Sequence, residues 1–289
     1  MPMKDGLIIS ILSLVPKKPI ARIMGRSARI KLPRFIHKLL IRWFVWKYGV
    51  NLNETIGKIE DFSSLSEFFL RPLKKEVRPI TDNPDLWISP VDATVHTFGP
   101  IEQGLFKQST SQTGNVSELI GDHLFAEGLD AQKYENGSFA ILYLSPKDYH
   151  RVHTPNACSV PLIRYVPGAL WPVFPAATRK INGLFNKNER LVFQIQSNIG
   201  EAILVMVGAF GVGRMSTGLN EILTNQNEAP AHLNLNPAPS LERAEELGRF
   251  ELGSTVILLW PNQDLEFLIE PQKPIQLGMP LARTLKNSI

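Results

Sequence analysis

From Trp87 onward the chain advances in short apolar stretches, each closed by Gly, Pro, Asn or Asp within a few residues. The stretches at 86–98, 138–144, 190–196, 201–212, 249–260 and 265–270 have the length, punctuation and β-branched content of strands. Long helical patterns between them are few, which disfavours a doubly wound parallel sheet. The expected fold is therefore α+β: a mainly antiparallel β core with short helices, preceded by an amphipathic helical N-terminal arm of about three helices. Ser64 and Glu67 form a capping-box pattern ahead of Phe68, Phe69 and Leu70, so a short helix is expected there. Residues 226–240 read as a surface loop and 241–247 as a short acidic helix.

Charge divides the chain at about Gly49. Residues 1–50 carry eleven Lys or Arg against one acid, Asp5, while the whole chain is only +4. The remainder is thus net acidic, and a basic arm on an acidic body calls for an anionic partner. The apolar run at 7–15 is far short of the roughly 20 residues that span a bilayer. Phe35, Ile36, Leu39, Leu40, Trp43 and Phe44 recur at helical spacing, with Arg34, Lys38 and Arg42 elsewhere on the turn. That is the pattern of an interfacial membrane helix, although a core-packing helix with a solvated basic face carries the same spacing. No nucleic-acid-binding motif accompanies the charge. The division is an arm at 1–50 that meets an anionic membrane surface, and a body at 51–289. Cys158, the single cysteine, excludes an internal disulfide and a thiolate metal cage, and reads as a small buried hydrophobe.

Three segments of the body carry candidate chemistry. In Ser145-Pro146-Lys147-Asp148-Tyr149-His150-Arg151-Val152-His153-Thr154-Pro155, the Ser145/Asp148 spacing and Pro146 signal a helical turn. On such a turn His150 and His153 share a face, as proton transfer or a metal would require; in a strand they would oppose each other. In Gly248-Arg249-Phe250-Glu251-Leu252-Gly253-Ser254-Thr255-Val256, a small polar step interrupts an apolar strand, which by itself marks a bulge. In Ser89-Pro90-Val91-Asp92-Ala93 an acid follows a turn signal, and alone Asp92 reads as a turn residue.

Together these segments resemble the phosphatidylserine decarboxylases. Residues 143–155 look like that family's histidine motif, and 248–256 like its self-cleavage motif in the Leu-Gly-Ser-Thr form. The resemblance continues through Phe68-Phe69-Leu70-Arg71-Pro72-Leu73, Pro90-Val91-Asp92, Tyr165-Val166-Pro167-Gly168 and Asn186-Lys187-Asn188-Glu189-Arg190. It departs at Ala93, where the family usually has Gly, and is loose between Gly104 and Ile120. The resemblance implies a proenzyme that cuts itself between Gly253 and Ser254. Ser254 Oγ attacks the Gly253 carbonyl, the resulting ester undergoes β-elimination, and hydrolysis releases ammonia and leaves a pyruvoyl cofactor made from Ser254. The implied reaction turns phosphatidylserine into phosphatidylethanolamine and carbon dioxide through a Schiff base to that group. His153 is the implied base of the cut, Asp92 the acid that orients it, and His150 the acid that reprotonates the product; no metal is implied. The implied assembly pairs residues 1–253 with 254–289, leaves a homodimer of such pairs open, and lies peripherally on the cytoplasmic side of the cell membrane.

Two other functions use the same residues. A Ser-His-Asp hydrolase would take Asp92, His153 and Ser254, yet the chain has no Gly-x-Ser-x-Gly elbow and its serine lies mid-strand. A non-enzymatic membrane-binding protein explains the arm and leaves the histidine and Gly-Ser-Thr segments without a purpose. A zinc site from His150, His153 and Asp92 is weaker still. The glycines at 208, 211 and 213 lack the Gly-x-Gly-x-x-Gly spacing of a dinucleotide loop.

Overall fold

The computed structural model describes residues 15–125, 128–211, 214–222, 224–226, 229–251 and 254–285. Two helices lead: α1 at Lys17–Ala28 and α2 at Arg34–Tyr48. The apolar run at 7–15 lies outside the described residues except for Val15. Helix α2 stops where Gly49 takes a left-handed conformation (φ 70°), and its N–H donates 2.8 Å to the Val45 carbonyl. The expected cap is present in α3, Leu65–Phe69: Ser64 Oγ accepts from Glu67 N–H, while the Glu67 carboxylate reaches one residue further back than a capping box requires, to Ser63 N–H.

Seventeen strands follow among the described residues. They begin with β1 (Leu86–Ile88), β2 (Ala93–Pro100), β3 (Leu105–Lys107), β4 (Thr113–Asn115), β5 (Ser138–Leu144) and β6 (Arg151–His153). Next come β7 (Cys158–Val166), β8 (Arg190–Ser197), β9 (Gly200–Val207), β10 (Met215–Thr217), β11 (Ala231–Asn234) and β12 (Ser240–Leu241). The chain closes with β13 (Glu246–Phe250), β14 (Ser254–Trp260), β15 (Leu265–Phe267), β16 (Pro274–Ile275) and β17 (Pro280–Thr284). The largest sheet has nine strands, in the order β11-β7-β8-β9-β14-β5-β2-β16 with β12 against β7. Its named pairings are all antiparallel, as expected of a fold without crossover helices. A smaller sheet, β10-β13-β6, stands beside it.

Strand β14 is the centre of this core. All seven of its residues are buried, and it is hydrogen-bonded to β5 on one side and β9 on the other. Val256, Ile257, Leu258 and Leu259 are buried completely, and each such side chain contributes roughly 1.5–3 kcal/mol.

Three local expectations fail. The 226–240 loop contains β11 and β12, which add to β7, and 241–247 runs from β12 into β13 instead of forming a helix. Backbone pairing to an existing edge satisfies these groups, whatever the acidic composition suggests. The 145–154 segment is also not helical throughout: only 145–148 forms a turn, and Arg151–His153 is strand β6, paired to β13.

The arm folds onto the body. Ala21, Gly25 and Ala28 of α1 are buried, as are His37, Ile41 and Phe44 of α2. Phe44 packs edge-on to Phe68 and Phe69, with ring centroids 6.2 and 6.0 Å away. The opposite face of α2 stays open: Phe35, Leu39 and Trp46 are each at least 70% exposed.

Candidate active site

Strands β5 and β14 are paired in the large sheet, and β6 and β13 in the small one. Ser254, the first residue of β14, lies opposite Leu144, the last residue of β5. At the other end, Phe250 N–H donates 3.0 Å to the His150 carbonyl. The histidine segment, leaving β5 for β6, thus begins beside Ser254 and passes the end of β13. Gly253 lies outside the described residues.

The turn that opens the histidine segment is closed by its own side chains. Ser145 N–H and Oγ both donate 2.7 Å to the Asp148 carboxylate, and Asp148 N–H returns to the Ser145 carbonyl at 2.9 Å. Beyond it the backbone extends, and His153 N–H donates to the Pro90 carbonyl at 2.9 Å. Extended backbone separates residues three apart onto different sides, so His150 and His153 occupy different surroundings instead of one helical face.

His150 is fully buried, its ring 4.1 Å from that of Phe69. Its Nδ1 lies 2.8 Å from the Asp148 carbonyl. A carbonyl only accepts, so Nδ1 carries the proton and Nε2 is a bare lone pair. That Nε2 has no hydrogen-bond partner among the described residues. Burial pushes the His150 pKa down to about 3, and the Arg71 charge pushes the same way; the ring is neutral at ordinary pH. His153 is half-buried and fixed at both nitrogens. Nδ1 donates to the Ala244 carbonyl at 2.7 Å and Nε2 accepts from the Tyr149 hydroxyl at 3.1 Å. Burial lowers its pKa as well.

Asp92 stands in an ionic cluster. Its carboxylate accepts from Arg78 Nε at 2.8 and 3.0 Å, from Arg78 Nη2 at 2.5 Å, and from Leu277 N–H at 2.9 Å. Arg78 also donates 2.7 Å to Glu54, and these two acids raise its pKa against the opposing effect of burial. The expected contact between Asp92 and His153 is therefore replaced by other partners on each side. Burial is the dominant influence on the His153 ring and holds its pKa down, and the Asp92 charge opposes it only weakly.

Ser254 is fully buried, and its Oγ has no hydrogen-bond partner among the described residues. Leaving a buried polar group unpaired costs roughly 1–3 kcal/mol, so an unpaired serine and an unpaired imidazole in one region mark a site with a use for them. Above Ser254 opens a cavity of about 670 Å³. Its walls are mostly apolar: Met24 and Ala28 of α1, Leu40, Trp43 and Phe44 of α2, with Phe69, Leu144 and Phe174.

The chain matches the family model described as phosphatidylserine decarboxylase over residues 65–283. It is 39% identical over 281 residues to a phosphatidylserine decarboxylase proenzyme of Herminiimonas arsenicoxydans, covering 94% of this chain and 92% of that one. The chain belongs to the phosphatidylserine decarboxylase family. A proenzyme of the same name from Anaeromyxobacter sp. (strain K) is 37% identical over 96% of this chain and 99% of its own, and one from Shewanella amazonensis 33% identical over the same shares.

Membership in a family of decarboxylases makes the chain an enzyme, and the site can be read on those terms. Sequence reasoning missed three residues. Tyr149 holds His153, and Arg78 holds Asp92. Arg71 is buried beside the histidine segment, donating Nη2 to the Lys147 carbonyl at 2.9 Å, while its Nε and Nη1 have no partner among the described residues. Arg71 and Tyr149 both lie inside the quoted motifs, but the motifs announce neither the reach of Arg71 to Lys147 nor the local path that brings Tyr149 onto the His153 ring. Among the described residues no helix is long and apolar enough to cross a membrane.

Proposed function

We propose that the chain decarboxylates phosphatidylserine to phosphatidylethanolamine and carbon dioxide, after cutting itself between Gly253 and Ser254 and converting Ser254 into a pyruvoyl group. The observation that carries this reading is the position of Ser254: at the head of a buried central strand, its hydroxyl unpartnered, below a large apolar cavity. A pyruvoyl group at that position supplies a ketone that captures an amine and draws in the electrons released with carbon dioxide. The residues present suit it. The apolar walls exclude water and accept acyl chains, and the small, unpaired Ser254 side chain leaves room for a carbonyl in its place.

Self-cleavage needs a base for the Ser254 proton. His153 is that base in the primary reading: its Nε2 is unprotonated, and Asp92 favours the charged ring that forms on proton uptake. Tyr149 must then yield its hydrogen bond. His150, deeper and beside Phe69, delivers a proton to the α-carbon during turnover. A second reading exchanges the roles, and one observation favours it: His150 Nε2 is both unprotonated and unpartnered, as is Ser254 Oγ. The His150 Nε2 has a lone pair to accept a proton and no proton to give, although burial makes the ring a weak base.

Electrophoresis of the purified protein under denaturing conditions tests the whole reading. Two fragments are expected, 1–253 and 254–289, the second with a pyruvoyl mass and no free amino terminus. Ser254→Ala should remain one chain and be inactive; a Ser254→Ala protein that still decarboxylates would sink the proposal. Under the primary reading His153→Ala and Asp92→Ala accumulate uncut chain, while His150→Ala cuts normally and turns over roughly 10²–10⁴-fold more slowly. An uncut His150→Ala with a normally cut His153→Ala establishes the second reading.

The arm at 1–50 docks peripherally on anionic lipid at the cytoplasmic side of the cell membrane, through the exposed aromatic face of α2. That orientation brings the mouth of the cavity, bordered by Trp43 and Met24, to the lipid surface. The two fragments remain associated as one body.

A further inference from the structure

Helix α1 borders a second cavity, polar and of about 300 Å³. Arg22 and Arg26 of α1 and Arg29 just past its end line it, with Arg214 from the segment before β10, and Thr224, Asn225 and Gln226 close it. Arg22, Arg26 and the C-cap Arg29 are spaced four and three residues apart, which places them in one stripe. Glu251 answers part of this charge, pairing with both Arg29 and Arg214. Arg22 is oriented by the loop, its Nε donating 2.8 Å to the Asn225 carbonyl and 3.3 Å to the Asn225 side-chain oxygen. Asn225 is itself held, its N–H donating 2.9 Å to Glu189, which also accepts from the Tyr165 hydroxyl at 2.6 Å.

Among the described residues four guanidiniums converge on this small space, and Glu251 pairs with two of them. Neither the packing of α1, which uses Ala21, Gly25 and Ala28, nor solubility requires that convergence. Arginine at all four positions suits one class of ligand, since its planar fork matches phosphate oxygens two at a time.

We infer that this cavity binds the phosphate of an anionic phospholipid, at a site separate from the reaction proposed at Ser254 and argued independently of it. The surroundings favour a lipid over a soluble phosphate. Ile23 and Ile30 of the same segment are 63% and 54% exposed, and Met24, Ser27 and Ala28 of α1 line the apolar cavity. The arginine stripe is thus bordered by apolar surface suited to acyl chains. A site for free phosphate gains nothing from such a margin.

The test compares Arg26→Gln with Arg42→Gln in the full chain. Both residues are exposed, and each substitution removes one positive charge from the arm, but only Arg26 lines the cavity. Vesicles of phosphatidylcholine containing phosphatidylglycerol serve as the membrane probe, and inorganic phosphate as the soluble one. Arg26→Gln should bind the vesicles roughly tenfold more weakly, the scale of a lost charged hydrogen bond, and Arg42→Gln should change binding much less. Unfolding temperature without ligand should match the parent in both variants, and decarboxylation of detergent-dispersed substrate should also be unchanged. Equal loss in the two variants would mean diffuse attraction and overturn the site. Inorganic phosphate stabilising the parent but not Arg26→Gln, with vesicle binding alike in both, would overturn the lipid and leave a soluble phosphate site.

Discussion

The arm and the sheet use apolar residues in opposite ways. In β14 no side chain faces solvent, and the strand is flanked on both edges. In α2, Ile41 and Phe44 are buried while Phe35, Leu39, Trp43 and Trp46 on the same fifteen-residue helix stand exposed. Hydrophobicity in the sheet stabilises the fold. Much of the hydrophobicity in the arm stabilises nothing within the chain, and an exposed apolar patch of this extent marks an interaction surface. A helix with two apolar faces can hold the body with one and a lipid surface with the other.

The contrast can be attacked from its strongest point downward. Arg78→Ala should destabilise the body by about 3–5 kcal/mol, because it strips the partner from a buried carboxylate, Asp92. Chemical denaturation measures this, and a loss under 1 kcal/mol would show that Asp92 reaches water or another cation. Leu258→Ala, at the centre of β14, should remove about 2–5 kcal/mol, again by chemical denaturation.

The third prediction concerns pH. His150 has an ordinary pKa of 6.5 and a folded value near 3. The unfolded chain therefore binds a proton below about 6.5 that the folded chain refuses until about 3. Stability attributable to His150 is complete above that window and declines as pH falls through it. Denaturation at pH 7.5 and 5 should show a smaller difference in His150→Gln than in the parent; equal differences would place the ring in water.

The smallest stability effect belongs to the arm. Leu39→Ser with Trp46→Ser should alter stability by no more than about 0.5 kcal/mol, as for exposed sites, yet clearly weaken binding to anionic vesicles. A large stability loss with unchanged vesicle binding would make α2 an ordinary packing helix. Excising residues 1–48 is a poorer experiment, since it would bare Phe62, Phe68 and Phe69 and remove a wall of the cavity above Ser254.

How much of this was legible in the sequence varies with the range of the interactions. The Ser64 cap of α3 and strands β5, β8 and β9 depend on neighbours in the chain, and their patterns announced them. Strand β7 did not: Pro161 and Arg164 break its apolar run, and its register shifts between Ser159 and Leu162 where the backbone bulges. Strand β6 followed a genuine turn signal at Ser145 and Asp148, but pairing with β13, almost a hundred residues away, decided its conformation. The same limit applies to the site. The quoted motifs picked out Asp92, His150, His153 and Ser254, whereas the Asp92–Arg78 pair and the Tyr149–His153 bond are products of folding.

The ladders around β14 bear on what a break in the backbone could do. A cut ahead of Ser254 would leave a fragment that still holds three separate grips on the remainder: β14 between β5 and β9, β16 along β2, and β17 along β1. Departure would require opening all of them together, so a nicked molecule would behave as one particle even when highly diluted. The new chain end would also be born at its destination, inside an assembled core, with no diffusion or docking step between its creation and its use.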